Sequence, residues 1–277
     1  MDSKIILKNQ NWNKQAQVTI FIILAILLVA AIILLFTLYR GPIKTYQDKQ
    51  SKEPNQNIPQ CLTIGVEEAV EKLLDNAGYI NSEDIRFSKQ FGYNLGEENE
   101  IPYKNYTYLC YTPNNYARCI PQEPVIIEHL ETEIQNYINE KIKDCFSKLK
   151  QELESEGYKV TLNNEMNFSV NLVPGSARTA VNRKMTTEKS GQERKFTEFV
   201  SITESPLYDI AVATQKIIEQ EAKFCNSDYL LIMRENPEIE INKFQTGDDN
   251  KIYTVKHINT GKLWIFAVRG CVLNTPS

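Results

Sequence analysis

The chain has 277 residues, which is enough for one or two domains with a buried core. Lysine and arginine number 31 against 35 acidic residues, so the net charge is -4 and we expect no nucleic-acid partner. The two histidines exclude His-rich metal chemistry, and we expect no cofactor and no metal.

Residues 18–39 predict a single transmembrane helix. The segment VTIFIILAILLVAAIILLFTLY carries no charge. As a helix rising about 1.5 Å per residue it is roughly 33 Å long, enough to cross a hydrocarbon core of about 30 Å. Trp12 precedes it, and Tyr39 and Arg40 end it, in the places of interfacial anchors. The alternatives are a buried core helix and a cleaved secretory signal, whose apolar region usually runs only about 7–15 residues.

The flanking charges do not orient this span, because three lysines precede it and four cations follow it. The cysteines are more informative, since an even number confined to one side indicates an oxidising compartment. The N-x-S/T sequons at Asn105 and Asn167, candidates for glycosylation, lie on the same side. All six cysteines are on that side, at Cys61, Cys110, Cys119, Cys145, Cys225 and Cys271.

We therefore expect a cytoplasmic tail, a membrane span and an extracytoplasmic domain, in that order. The tail comprises residues 1–17 and the domain residues 60–277. A polar linker, residues 40–59, joins span and domain, and its prolines make one continuous helix from membrane to domain improbable. These prolines are Pro42, Pro54 and Pro59.

The external domain is predicted to be α+β, with helices packed on an antiparallel meander. Apolar residues at steps of three and four predict helices at about Gln60–Ala77, Glu123–Ser155 and Leu207–Phe224. The period changes to two between Tyr158 and Ile202, which predicts strands with one wet face. A last hairpin is expected at residues 251–268, around Asn259-Thr260-Gly261.

Three disulfides are expected to staple this domain, although six cysteines allow 15 pairings. Cys110 and Cys119 flank a segment with turn chemistry at Pro113-Asn114-Asn115, so a local bridge is expected there. Cys61 and Cys145 are placed to join the first two helices. On the chain-entropy model, closing the loop between them stabilises the folded domain by roughly 4 kcal/mol. Cys225 and Cys271 are placed to tie the third helix to the final strand.

Residues 79–121 are expected to be irregular and rich in aromatic residues. Tyrosine offers contact area with a polar handle, so this loop is a candidate interaction surface. The alternative is that the rings simply cover the helix pair. The candidate residues are Tyr106, Tyr108, Tyr111 and Tyr116.

Two polar clusters have a functional and an ordinary interpretation. The segment Thr246–Asn250 has oxygen ligands for calcium but lacks the spacing of an EF-hand, and a polar turn is the alternative. A basic cluster suits lipid headgroups or an acidic surface polymer, or is simply a solvated strand face. Its members are Arg178, Arg183, Lys184, Lys189, Arg194 and Lys195.

No catalytic motif is present: the chain lacks H-E-x-x-H, G-x-S-x-G, the P-loop pattern and C-x-x-C. His129 and His257 have no evident nucleophile, because all six cysteines can pair. We therefore predict no catalytic residues.

The N-terminal segment Lys14–Leu24, KQAQVTIFIIL, resembles the start of archaeal membrane-anchored secreted proteins whose leader is similar to the class III, pilin-type signal. The resemblance implies topology and compartment rather than an activity. It also implies cleavage just before Gln17, which would remove residues 1–16. The chain departs from the pilin pattern at Phe21, where an acidic residue is expected. Further short similarities are Cys61-Leu62, Asn76–Ile80, Asp144–Phe146 and Leu207–Ala211.

These features predict a membrane-anchored cell-surface structural or interaction protein, such as a pilin-like or adhesive subunit without catalysis. Its expected partners are the lipid bilayer and either another protein or further copies of itself. An exposed aromatic patch would favour this function. The alternatives are an envelope enzyme or accessory factor, which a deep cleft with pKa-shifted acids would favour, and a ligand receptor with a closed apolar cavity.

Overall fold

The computed structural model describes residues 28–29, 54–93 and 101–273. The chain divides into two compact units, residues 1–50 and 51–277, and in the first unit only the helical Leu28 and Val29 are described. The predicted span 18–39 and the linker up to residue 53 therefore lie outside the described residues, apart from those two. No helix in the described part is both long and apolar enough to cross a membrane.

The second unit is α+β, as predicted. Its four α-helices within the described residues are α1 Pro54–Asp75, α2 Ile126–Ser155, α3 Leu207–Phe224 and α4 Tyr229–Glu235. Its first five strands are β1 Ser88–Tyr93, β2 Ile101–Tyr111, β3 Ile120–Pro121, β4 Lys159–Leu162 and β5 Asn167–Val173. The others are β6 Ser176–Lys189, β7 Gln192–Glu204, β8 Ile239–Gln245, β9 Lys251–His257 and β10 Leu263–Arg269.

The strands form two sheets, where the sequence predicted one meander and a separate hairpin. The larger sheet has the order β1-β2-β10-β9-β8, with β3 beside β2. Every pairing in it is antiparallel except that of β2 with β10. The smaller sheet is the predicted meander: β7 pairs along one edge of the long strand β6, and β4 and β5 share its other edge.

Helices α1 and α3 connect the two sheets into one core, and α2 packs against both helices and the smaller sheet. Helix α1 contacts β7 of the smaller sheet and β10 of the larger, and α3 contacts β6 and β9. The apolar residues that predict α2 are mostly buried in that core, while Ile127 and Tyr137 are only partly buried. The buried ones are Leu130, Ile134, Ile138, Ile142, Cys145, Phe146, Leu149 and Leu153.

Helix α1 begins at Pro54, six residues before the predicted start, so the last residues of the predicted linker are helical. Pro54 is the first residue of α1 that the structure describes. Pro59 removes one backbone hydrogen bond, but the turn around it buries Ile58 and Leu62 in the core. Packing therefore outweighs the local effect of the proline.

Helix α1 ends at Asp75, two residues before the predicted end at Ala77. The N–H of Gly78 donates to the Leu73 carbonyl at 2.8 Å, and Gly78 has φ +101°. A side chain here would also approach the Trp264 ring, because a Cβ atom on Gly78 would lie 3.2 Å from it. Gly78 thus closes the turn that follows the helix and lets the buried Trp264 pack against it.

The expectation that residues 79–121 are irregular is wrong, because β1, β2 and β3 form there. Tyr106 and Tyr108 point to the outer face of the larger sheet. Thr107 and Leu109 point to the opposite face. The Thr107 hydroxyl donates to the carbonyl of Asn76, just after α1, and Leu109 is part of the main core. This is the two-residue alternation of a strand, and aromatic side chains favour it.

The three disulfides join the pairs expected from the sequence. Cys61 in α1 bonds Cys145 in α2, with Cα atoms 6.2 Å apart. Cys110 and Cys119 close the loop after β2, at 5.3 Å, and Cys225 at the end of α3 bonds Cys271 after β10, at 5.8 Å. The bridges thus fix the helix pair and one end of the larger sheet.

A buried ionic cluster ties α3 to β9. Glu221 is 1% exposed and accepts hydrogen bonds from the Lys251 ammonium and the Tyr253 hydroxyl. Lys251 also donates to the carbonyl of Cys225, and Lys243 lies 3.8 Å from Glu221. Burial lowers the pKa of Lys243. Burial and the neighbouring Glu221 raise the pKa of Tyr253, so its hydroxyl group stays protonated and remains a hydrogen-bond donor.

Candidate functional site

The outer face of the larger sheet carries an open cleft of about 460 Å³, named here the aromatic cleft. Residues from four separate parts of the chain line it. Aromatic rings form its floor, and charged and amide side chains form its rim. The lining residues are Arg86, Phe87, Ser88, Lys89, Tyr108, Tyr111, Asp248, Asn250 and Arg269.

A β-bulge in β2 places two of these rings on the same face. Ala267 of β10 pairs with Tyr108, but the next residue, Val268, pairs with Cys110, so β2 carries one extra residue. Leu109 and Cys110 consequently both face the main core, while Tyr111 returns to the outer face beside Tyr108. The two tyrosine rings lie 5.0 Å apart. Without the extra residue the regular alternation would place Tyr111 on the core face.

Tyr108 is the fixed part of the floor. Its hydroxyl donates to the Asn250 side-chain oxygen at 2.8 Å, and both residues are buried. Its ring packs with Tyr106, Ile252 and Ala267 in a small cluster on the outer face of the sheet. Burial raises the pKa of Tyr108 to about 12, so the phenol stays neutral and keeps donating to Asn250 at physiological pH.

Phe87 gives the cleft an exposed ring. Its carbonyl accepts from the Tyr108 N–H at 2.9 Å, which extends the pairing of β1 with β2. Its ring stacks on Tyr111 with centroids 4.2 Å apart and planes 17° apart, while 39% of the residue remains exposed. Tyr111 therefore supports one face of a ring whose remaining surface is open to a ligand.

The rim is positively charged. Lys89 forms an ion pair with Asp248 across the cleft. Arg269 donates to the Thr112 carbonyl and, at 2.9 Å, to the Asn115 side chain. Arg86, which also lines the cleft, is exposed. Three cations against one carboxylate leave an excess of two positive charges. This local sign is opposite to the net charge of the chain, -4.

Backbone contacts and two disulfides hold the rim loop, residues 112–119. The Cys271 N–H donates to the Ala117 carbonyl at 2.6 Å, and the Tyr116 N–H donates to the Val272 carbonyl at 2.9 Å. Gly270 makes this approach possible, because a Cβ atom there would lie 2.8 Å from the Cys119 nitrogen. The Arg269 side chain is thus set by a loop that Cys110–Cys119 and Cys225–Cys271 fix.

The segment Thr246–Asn250, which has calcium-type oxygens, is a hydrogen-bonded turn between β8 and β9. The Thr246 hydroxyl bonds Asp248 at 2.5 Å and accepts from the Asn250 N–H at 3.1 Å. Asp249 accepts from the Leu273 N–H at 3.2 Å and from Gln245 at 3.0 Å. Among the described residues, no group of three or more His, Cys, Asp or Glu side chains is placed to hold a metal ion.

The predicted tyrosine surface is only partly exposed. Tyr106 and Tyr108 are 2% and 4% exposed, so they are floor and core residues rather than surface contacts. Tyr111 is half-buried in the cleft, and Tyr116 is 64% exposed on the rim loop. The prediction was wrong because β2 forms where a loop was expected, and on the outer face of the sheet the two rings pack with Ile252 of β9 and Ala267 of β10.

The sequence did not identify the cations of the cleft, or the amide of Asn250, as residues of one site. Arg86 precedes β1, Lys89 lies in β1 and Arg269 ends β10, so no regular spacing in the sequence groups the three cations. Asp248 and Asn250 were noticed only as calcium-type oxygens. A weak signal was the position of Phe87, an aromatic residue between Arg86 and Lys89.

The remaining predicted site residues lie away from the aromatic cleft. Asn105 in β2 and Asn167 in β5 are both exposed, as a glycan acceptor must be. Five of the six residues of the basic cluster are exposed, and Arg183 is partly buried. Arg183 lies over the Phe146 ring at 4.8 Å, and burial lowers its pKa, while Arg178 faces solvent from the same strand.

Neither histidine contributes to the cleft. His129 in α2 bonds the Gly78 carbonyl at 2.8 Å and lies 3.5 Å from Glu123. His257 at the end of β9 contacts Thr260 at 2.9 Å and Glu238 at 3.3 Å. All six cysteines are in disulfides, so none of them is available as a thiol nucleophile.

Comparison with known proteins gave no match to a family model, to a curated protein or to a solved structure.

Proposed function

We propose that the chain is a membrane-anchored cell-surface interaction protein that acts by binding rather than by catalysis. Residues 18–39 serve as its anchor, and residues 54–273 as its external binding domain. The aromatic cleft is the surface that contacts the partner, which is either another surface molecule or a second copy of the chain.

The observation that carries this proposal is the convergence of Phe87, Tyr108 and Tyr111 with three cations on one open face of the larger sheet. Aromatic residues and arginine are the residue types enriched at recognition surfaces. The cleft lies on the face that α1, α2 and α3 do not cover, so ligand binding requires no opening of the core.

Rigidity of the rim supports the same proposal. Two of the three disulfides and the backbone contacts of Gly270–Val272 hold the loop that positions Arg269. A recognition site gains affinity when its groups are ordered before the ligand arrives, because less conformational entropy is lost on binding. Stable disulfides also suit an oxidising compartment outside the cytoplasm.

The proposal is tested with cells that display the full chain, by measuring their association with each other and with cells lacking it. The double variant Phe87→Ala Tyr111→Ala is expected to lose association, because it removes the exposed ring and its support. Phe224→Ala, which removes an exposed ring at the end of α3, is the matched control and should associate normally. Equal association by all three proteins, at equal surface levels, would contradict the proposal.

A further inference from the structure

The chemistry of the aromatic cleft defines a ligand more narrowly than an unspecified surface partner. The cleft combines three features: an exposed ring, an excess of cations, and an oxygen acceptor within the cationic rim. We infer that it binds an acidic saccharide, that is, a sugar ring bearing a carboxylate. This inference rests on the proposed function and names the ligand class of the same site.

The exposed ring provides the apolar surface. A pyranose presents a face of C–H groups, which packs against an aromatic ring and leaves the hydroxyl groups at its edge. Phe87 offers such a surface, and Tyr111 behind it at 4.2 Å prevents the ring from moving inward. A simple anion such as phosphate would leave this ring without a role.

The cations provide the site for the carboxylate. Arg86 is exposed at the edge of the cleft, next in the chain to Phe87. A guanidinium group binds a carboxylate through two parallel hydrogen bonds, which fixes both distance and orientation. Arg269 and Lys89 already bond protein groups, so they add positive charge. We assign the direct contact to Arg86, which lines the cleft and whose charge also acts on the buried Tyr79.

Asp248 provides the acceptor. Sugar hydroxyl groups both donate and accept hydrogen bonds, so a saccharide site needs acceptors as well as donors. Asp248 lies on the rim between Lys89 and the turn that holds Asn250, and about half of its side chain is exposed. Each sugar hydroxyl group can donate to Asp248, whereas the ionised carboxylates of an acidic peptide only accept hydrogen bonds.

The test uses the full chain in nanodiscs of neutral lipid and measures binding by calorimetry. The probes are a trimer of galacturonic acid, the neutral galactose trimer, a glutamate hexapeptide and inorganic phosphate. The wild-type protein is expected to bind the acidic trimer at least about tenfold more tightly than any other probe, which corresponds to one charge-assisted contact. Higher salt should weaken this binding.

Two variants identify the contacts. Arg86→Gln is expected to lower affinity for the acidic trimer about tenfold and to remove the preference over the neutral trimer. Phe87→Ala should weaken both trimers. Arg178→Gln, an exposed arginine on the smaller sheet, is the matched control and should change neither. Circular dichroism confirms that each variant is folded.

Several results would overturn the inference. The first is no binding of the acidic trimer, and the second is equally tight binding of the neutral trimer. The third is tighter binding of the glutamate peptide or phosphate, and the fourth is unchanged binding of the acidic trimer by Phe87→Ala. The proposed function is judged separately. If Phe87→Ala Tyr111→Ala abolishes cell association while the acidic trimer does not bind, the saccharide inference fails and the proposed function stands.

Discussion

Replacing Glu221 with alanine is expected to lower the free energy of unfolding by about 3–5 kcal/mol, because it leaves a buried ammonium group without its counter-ion. Lys251, 7% exposed, would retain only the Cys225 carbonyl, and the Tyr253 hydroxyl would lose its acceptor. Urea unfolding of the full chain in detergent, followed by circular dichroism, measures the change.

Two further proteins control for this result. Glu219→Ala removes an exposed carboxylate two residues away on α3 and should cost less than about 0.5 kcal/mol. In the double variant Glu221→Leu Lys251→Met both charges are removed, so most of the lost stability should return. A loss below about 1 kcal/mol for Glu221→Ala would contradict a buried, mutually dependent cluster.

Removing the disulfides one at a time should destabilise in the order of the loops they close. The bridges Cys61–Cys145, Cys225–Cys271 and Cys110–Cys119 span 84, 46 and 9 residues. On the chain-entropy model, losing them costs about 4.5, 4 and 2.5 kcal/mol, because the unfolded chain regains the corresponding freedom.

Paired Cys→Ala variants, unfolded in urea under non-reducing conditions, measure this order. Loss of Cys110–Cys119 should have an additional effect, namely weaker ligand binding, since it releases the loop that positions Arg269. The bridge Cys61–Cys145 joins α1 and α2, so its loss should leave ligand binding unchanged as long as the domain is folded. If the nine-residue bridge contributed most to stability, the loop-entropy explanation would be wrong.

The three longer helices and the hairpin of β9 and β10 could be predicted because their signals are local, whereas the short helix α4 was not predicted. The apolar stripe of α2 recurs at helical spacing, and α3 was predicted with the bounds that it has, Leu207–Phe224. The strands β4 to β7 follow one another with short turns, so their alternation was enough. The three cysteine pairs followed from where these elements were placed.

The larger sheet could not be predicted because it is built from distant parts of the chain. Its central parallel pairing joins Cys110 to Val268, and nothing near either residue specifies the other. The tyrosines of β2 were assigned to a surface loop for this reason. Once β10 and β9 lie beside β2, the same side chains become the floor of a cleft.

The aromatic cleft depends on two features that have no sequence signal. One is the β-bulge at Leu109-Cys110, which brings Tyr111 to the face of Tyr108. The other is the meeting of Lys89 with Asp248, which are 159 residues apart. The residue types of the site were therefore visible in the sequence, but their proximity was not.

The most direct test is the accessibility of the C-terminal domain on intact cells. In cells expressing the full chain with a C-terminal tag, protease added outside should remove the tag before any lysis. Mass spectrometry of the released domain, without reduction, should find the bridges Cys61–Cys145, Cys110–Cys119 and Cys225–Cys271. A tag that survives until the cells are lysed, on a domain with free thiols, would contradict an anchored surface protein.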